Sequence, residues 1–348
     1  YLKSRLLILD EPTSVLTPDE ADEVLGLLKA EVSQGHLSVL LITHKFREVQ
    51  AFADEVTILR RGQLAGQGHV KDLSIEAMAE MMLGQERQQK SVVKTSADTQ
   101  TPVLEVIDLH ANKDNWLPAV KGVNLRVHTG EIVGIAGVSG NGQREFVECL
   151  SGQRLPVSGE RRVNGEPYTA TRAEMAKHSV YALPEEPLKN ACVPTMSVAE
   201  NMALRTFDRP PQAKWNLLLI LKAIRHAATS LVKTFSVKTP SVETPISHLS
   251  GGNVQRTVLA RELSAHEVRL LIAANPSFGL DFAAVDFIHD MIVAARNRGV
   301  AVLLVSEDLD ELLTLADRII VMSDGEFVYE SAIADVDLKT IGQRMAGH

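Results

Sequence analysis

Leu249-Ser250-Gly251-Gly252-Asn253-Val254-Gln255-Arg256 is the stretch whose reading decides this chain, and it lies on a loop opening a helical run. Two adjacent glycines let a backbone approach a ligand closely, because no Cβ stands in the way. A helix starting just behind them offers unpaired N–H groups and a positive dipole end, which suits phosphate oxygens. Standing alone, the octet reads equally well as an ordinary Ser-capped helix with a glycine turn before it. The rest of the chain separates the two readings.

At 348 residues the chain has room for two domains, or for one and a large part of another. A 45% apolar share describes globular protein with core enough to fold. The formal charge of −8 gives no support to a nucleic-acid binder, which usually presents a basic face. Aromatic content of 4% suits aliphatic α/β layers better than base-stacking surfaces. Cys149 and Cys192 lack the spacing of a zinc site and fit a reducing compartment. No apolar run approaches the ~20 residues that span a bilayer; the run 217–221 is far too short and fits a core. No signal peptide is evident. The chain begins at Tyr1 and runs almost at once into a buried-strand pattern, from which a fragment is expected.

Residues 6–9, Leu-Leu-Ile-Leu, form an apolar run ending in Asp10-Glu11-Pro12-Thr13-Ser14. This predicts a fully buried parallel strand with carboxylates at its C-terminal end, where α/β folds place ligands. A helix from about Pro18 with Thr17 as N-cap, a strand over 38–42 ending at Thr43-His44, and a helix over about 48–53 follow. A strand over 55–59 and a turn at Arg61-Gly62 close the unit. Residues 84–102 then lose periodicity and read as a linker. Strands are predicted over 103–109, 123–127 and 132–135, the last leading into a glycine-rich turn.

An internal repeat runs through the chain. Asp10-Glu11-Pro12-Thr13 corresponds to Ala274-Asn275-Pro276-Ser277 (274 − 10 = 264), and Gly62 to Gly325 (325 − 62 = 263). Thr43-His44 is matched to Val305-Ser306, which sets Ser306 in the place of His44 (306 − 44 = 262). Two copies of one domain are therefore expected: 1–84 as the tail of the first, 85–102 as linker, and 103–348 as the second. Copy one would begin near 103 − 264 = −161, about 160 residues upstream.

LSGGNVQR resembles the signature motif of ABC-type ATPases, which contacts the γ-phosphate of ATP held by an opposing nucleotide-binding domain. That resemblance implies roles for the first copy. Asp10 would hold Mg²⁺, and Glu11 would orient or deprotonate the attacking water, since phosphoryl transfer is catalysed mostly by positioning and charge neutralisation. His44 resembles the switch histidine that reaches the γ-phosphate. Taken singly, Asp10 and Glu11 read as carboxylates capping a turn and His44 as a surface histidine. The order strand, DEPTS, helix, strand, TH is what makes the set specific. Ser14-Val15-Leu16-Thr17 occupies the family's D-loop, with Thr17 where aspartate is more usual.

In the second copy, Gly137-Val138-Ser139-Gly140-Asn141-Gly142-Gln143-Arg144 has the glycine spacing of a P-loop, whose backbone N–H groups cradle phosphates. The pattern asks for Lys at 143 and Ser or Thr at 144. Gln143 lacks the charge for β- and γ-phosphates, and Arg144 cannot bind a cation, though it can fold onto a phosphate. Ala274 and Asn275 replace the two carboxylates, and Glu185 falls near the position of the family's Q-loop glutamine. This copy keeps Ser250, Gly251, Gly252 and Asn253 and has lost the groups that hydrolysis needs.

The whole chain resembles the tandem ATP-binding subunits of bacterial sugar and nucleoside importers, the ribose/galactose and purine-nucleoside group. The residues behind this are DEPTSVLTPDE, GIAGVSGNGQREF, ALPEE with SVAENMAL, LSGGNVQR with LARELS, and VLLVSEDLDELL. The resemblance implies an α/β fold: ABC-type P-loop ATPase domains with a mixed β-core and a helical subdomain, two in tandem with the first incomplete. It further implies ATP and Mg²⁺ as cofactors, two transmembrane permease subunits, an extracytoplasmic solute-binding protein acting indirectly, no nucleic acid, and a peripheral place on the cytoplasmic face of the membrane. The rivals are a soluble ABC protein acting in translation and a catalytically inactive regulatory or relic polypeptide. Within 205–245, Trp215, the run 217–221 and Ile224 suggest an amphipathic helix of the helical subdomain, where permease contacts would lie; core packing accounts for them equally well.

Overall fold

The computed structural model describes residues 5–13, 18–43, 45–60, 62–74, 77–78, 81, 93–95, 102–215, 217–264, 267–280 and 282–345. Two compact units divide between Ser91 and Val92, inside the expected linker.

The first unit contains β1 (Leu6–Asp10), α1 (Pro18–Ser33), β2 (Ser38–Ile42), α2 (Phe46–Phe52), β3 (Glu55–Arg60) and β4 (Gln63–His69). β1 and β2 pair in parallel with Asp10 opposite Ile42, and β3 and β4 form an antiparallel hairpin. β1 is not fully buried as its composition predicted. Its residues alternate, with Leu6 57% and Ile8 60% exposed. Side chains of a strand point to opposite faces, and among the described residues of this unit only one face of the two-stranded sheet is covered.

The second unit opens with β5 (Pro102–Asn112), β6 (Pro118–His128), β7 (Ile132–Ala136), α3 (Gln143–Ser151), β8 (Ser158–Val163) and β9 (Glu166–Pro167). It continues with α4 (Arg172–Lys177), β10 (Val180–Leu183), α5 (Pro187–Asn190), α6 (Val198–Ala203), β11 (Ala213–Lys214), β12 (Leu218–Leu219), α7 (Leu221–Thr234) and α8 (Gly251–Leu263). β13 (Leu270–Ala274), α9 (Phe282–Asn297), β14 (Ala301–Val305), α10 (Leu309–Leu315), β15 (Arg318–Ser323), β16 (Glu326–Ala332) and α11 (Leu338–Met345) complete it. Strands in the order β10-β13-β14-β7-β15-β16 make a mixed sheet, parallel except for β16. β6-β5-β8-β9 form a separate antiparallel sheet.

IVGIA, LLIAA and AVLLV, the strands β7, β13 and β14, are buried throughout because both faces of the central sheet are covered. Alternation distributes them between two cores. Ile132 and Ala136 pack toward the helical side, while Val133 and Ile135 pack toward α3 and the antiparallel sheet. Burial also pushes the Cys149 and Cys192 thiols up to about 11, which leaves both unreactive at neutral pH.

α8 joins the helical subdomain through a buried charge cluster. The Glu262 carboxylate, fully buried, accepts from Arg261 Nε at 2.6 Å and Arg205 Nε at 3.1 Å. Arg261 Nη1 also donates to the Ala191 carbonyl at 2.8 Å. An unpaired charge there would cost several kcal/mol, so the three side chains stand or fall together. The run 217–221 departs from both expectations. It is neither an amphipathic helix nor core: β11 and β12 form a short hairpin, α7 starts at Leu221, and the leucines are exposed, whereas Ile224 is buried in α7.

The turn between β7 and α3 passes through a tight junction. Gly142 has φ 106°, and a Cβ there would lie 2.1 Å from the Ala119 carbonyl oxygen of β6. Gly140, φ 92°, has nothing within 4 Å of its Cβ position. Gly142→Ala is therefore expected to cost at least about 3 kcal/mol and Gly140→Ala about 1 kcal/mol, since the first adds a backbone clash to the strain both share. Chemical denaturation of the two variants checks the ordering.

Candidate functional site

Three loops of the second unit meet at the C-terminal ends of its central strands. After β7, residues 137–142 wrap into the start of α3, whose first turn has N–H groups without intrahelical acceptors. Gly137 leaves room for the Gln143 side chain: a Cβ at 137 would lie 2.1 Å from Gln143 Nε2. Gln143 is buried and donates from that nitrogen to the Val138 carbonyl at 3.2 Å, filling the hollow of the loop with a neutral amide. Arg144 does not fold over the loop. Its Nε donates along the helix to Glu148 at 2.8 Å, and this bond raises the Arg144 pKa above its ordinary value. Asn141 turns to structure instead of the hollow, accepting from the Asp324 N–H on its side chain and from the Gly325 N–H on its carbonyl.

Beside this loop stand two carboxylates. Burial raises the Glu307 pKa, the Ser139 side chain opposes this by hydrogen bonding, and the charge of Glu185 adds to the rise. The Glu307 N–H donates to Asn275 Oδ1 at 2.9 Å. Asn275 thus uses its amide to hold the loop after β14.

In the first unit the equivalent strand ends carry different chemistry on the same backbone. Glu11 has φ 44° and Asn275 φ 42°. The Glu11 N–H donates to the Ile42 carbonyl at 2.8 Å, and that of Asn275 to Val305 at 2.7 Å. Asp10 is exposed at the end of β1, and Glu11 is half-buried.

The hydrogen bonds correct one match made from sequence. Thr43 Oγ1 accepts from the Lys45 N–H at 3.1 Å and donates to Glu48 at 3.0 Å. Ser306 Oγ accepts from the Asp308 N–H at 3.1 Å and donates to Glu311 at 2.6 Å. Ser306 therefore matches Thr43, and the place of His44 is taken by Glu307. His44 itself, like residues 14–17, lies outside the described residues. The buried carboxylates Glu48 and Glu311 escaped the sequence reading, although each follows its hydroxyl partner by five positions.

The glycine pair lies across a cavity from one of these loops: Gly251 and Gln255 line it together with Asn275, and Gln255 Nε2 donates to the Pro276 carbonyl at 2.8 Å. Ser250 takes the N-cap backbone conformation of α8 without a side-chain cap, and its Oγ accepts from Asn253 Nδ2 at 2.9 Å. Asn253 Oδ1 accepts from the Lys238 N–H at 2.7 Å. A Cβ at Gly252 would press within 3.1 Å of Ala284, whereas at Gly251 the nearest atom is Leu280 at 3.6 Å. Packing explains Gly252; exposed Gly251 has no such packing demand. No hydrogen bond or glycine contact among the described residues links this set to the loop 137–144. Nor do the described residues contain a cluster of three or more His, Cys, Asp or Glu able to hold a metal. Asp10 fits a cation bound by one carboxylate, with phosphate and water supplying the rest, as Mg²⁺ accepts.

Comparison with known proteins followed the same residues. The family model described as ABC transporter matches residues 120–277. The chain is 38% identical to the nucleoside import ATP-binding protein NupA of Lactococcus lactis subsp. cremoris, over 94% of this chain and 64% of that protein. It is 39% identical to the glucose import ATP-binding protein TsgD13 of Haloferax volcanii, over 100% and 63%. With the guanosine import ATP-binding protein NupO of Bacillus subtilis it shares 34% identity over 100% and 68%. The chain thus spans a little under two thirds of the first two relatives. In fold it is similar to cbiO1 from Clostridium perfringens, part of an ABC transporter complex, with a TM-score of 0.55 at 23% identity over 71% of this chain and 95% of that one. Sequence kinship and fold agree, and the chain belongs to the ABC transporter ATP-binding family.

Proposed function

We propose that the chain forms part of an ATP-hydrolysing subunit that powers import of a nucleoside or simple sugar through a membrane permease. The observation that carries this is the pair of matching strand ends. The backbone at Glu11 and at Asn275 has the same left-handed turn and the same N–H bond, yet only the first unit bears the Asp10-Glu11 carboxylates. In further support, α1 and α9 are both 16 residues long, α2 and α10 both seven, and both hairpins carry a register shift at the same place. On this reading residues 1–84 and 103–348 belong to two copies of one domain, joined by residues 85–102.

The chemistry is then divided. Asp10 would hold Mg²⁺ beside the phosphates of ATP, Glu11 would orient the attacking water, and His44 would reach the γ-phosphate. Ser250, Gly251, Gly252 and Asn253 would face a nucleotide held by an opposing nucleotide-binding domain; an uncrowded Gly251 suits close approach of a phosphate. The loop 137–144 would bind nucleotide weakly, because a neutral amide fills its hollow and two carboxylates stand beside it. Two permease subunits, a solute-binding protein and a place on the cytoplasmic membrane face complete the proposal. The import names of the relatives favour it over a role in translation.

Three variants in the reconstituted transporter test the division. Glu11→Gln is expected to lower steady-state ATPase by about 10²–10⁴-fold, the usual worth of a general base. Gly251→Asp should be nearly as damaging, since it sets a charge and a Cβ against phosphate. Gln143→Ala should leave the rate nearly unchanged; equal losses from Gln143→Ala and Glu11→Gln would sink the one-engine reading.

Glu307 makes a separate expectation. With its pKa raised, it gains a proton earlier than an ordinary carboxyl as pH falls, removing a negative charge beside the loop. Nucleotide affinity of the 348-residue chain should accordingly tighten as pH falls. In Glu307→Gln it should be tighter throughout and flatter with pH, read by fluorescent-nucleotide titration. An unchanged pH profile in the variant would count against the carboxylate's place beside bound phosphate.

A further inference from the structure

The hairpin of β11 and β12 and the start of α7 expose the apolar run 217–221. Trp215 is 76% exposed, Leu217 81%, Leu218 54%, Leu219 53% and Leu221 51%. A patch of this kind on a folded protein marks an interaction surface. It is also firmly held: Ala213 is buried, the Ile220 N–H donates to the Gln212 carbonyl at 2.8 Å, and Gln212 is fixed by Thr206 Oγ1 at 2.8 Å.

We propose that this hairpin is a membrane-surface element that seats its apolar run in the headgroup region of an anionic bilayer. Two observations select lipid over a protein partner. The first is geometric. Successive residues of a strand point to opposite faces, so Leu218, opposite Lys214, and Leu219, opposite Ala213, put one exposed leucine on each face of the hairpin. A protein surface covers one face, whereas a lipid phase wets both.

The second observation is charge. From Arg209 to Val242 the chain has six Lys or Arg and no Asp or Glu, within a protein of net charge −8. Arg225 is paired with Glu243, but Lys222 has no ion pair among the described residues. Lys214 and Lys222 bracket the apolar run, and Lys214 Nζ sits 4.5 Å over the Trp215 ring. A tryptophan beside basic residues that bracket an apolar insert is the arrangement that suits a membrane interface and attracts anionic lipid. The inference uses no nucleotide chemistry and stands or falls apart from the proposed ATPase.

Co-sedimentation of the 348-residue chain with vesicles tests it. Wild type is expected to partition onto phosphatidylcholine–phosphatidylglycerol vesicles and far less onto phosphatidylcholine alone. In a Trp116→Phe background, Trp215 is the remaining tryptophan, and its emission should shift to the blue on binding. Combining Leu217→Ser, Leu218→Ser and Leu219→Ser should lower the partition coefficient at least ~10-fold. Combining Lys214→Gln and Lys222→Gln should lower it ~10-fold or more on the anionic vesicles at low salt; circular dichroism checks that each variant is folded. Wild type that ignores both vesicles overturns the proposal, as does binding indifferent to either set of substitutions. So does binding confined to vesicles that carry a permease. A dimer lost in the serine variant, without vesicle binding, would make a second copy the occupant and overturn it likewise.

Discussion

A single carbonyl, that of Ala119, sets how closely three segments of the second unit can approach one another. Cβ atoms at Gly142 and Gly325 would lie 2.1 Å and 2.6 Å from its oxygen. Only glycine lets the loop before α3 and the β15–β16 turn close on β6 there. Asn141 then ties loop to turn through its carbonyl and its side chain. The shape of the loop is therefore built by protein contacts and does not depend on a bound phosphate. The glycine spacing is thus accounted for by packing alone, whatever side chains stand at 143 and 144.

The same separation of scaffold from chemistry recurs at the strand ends. In both units a hydroxyl, Thr43 or Ser306, is held by a buried glutamate, Glu48 or Glu311, and caps the N–H two positions on. This fixes the backbone leading into the following helix. The residue between hydroxyl and capped N–H is not held by this pair of bonds, and it is His44 in the first unit and Glu307 in the second. Likewise the left-handed turn accepts Glu11 or Asn275 with no change in its hydrogen bond. Side chains at these positions differ between the units on a frame that other residues hold.

Burial separates the two units more than their sequences do. β13 and β14 are as apolar as β1 and β2, yet the first pair is sealed and the second alternates. The difference lies in the neighbours: β7 and β10 flank β13 and β14, and helices cover both faces. An exposed apolar residue therefore has two meanings in this chain. On β1 and β2 it belongs to a strand pair with one uncovered face, and on β11 and β12 to a protruding hairpin anchored by its own buried base.

The sequence by itself determined the fold class, the strand ends and the two glycine loops. Periodicity, apolar runs and glycine spacing are local properties, and the strands predicted over 38–42 and 132–135 lie within a residue of where those signals put them. What only the tertiary structure decided were contacts between residues distant in the chain. That Gln143 turns inward and Arg144 outward depends on Val138 and Glu148, and that Glu307 replaces His44 was legible only from the hydrogen bonds of Thr43 and Ser306. The run 217–221 shows the limit most plainly. Five consecutive apolar residues have the composition of a core, and whether they meet one depends on what the rest of the chain brings to them.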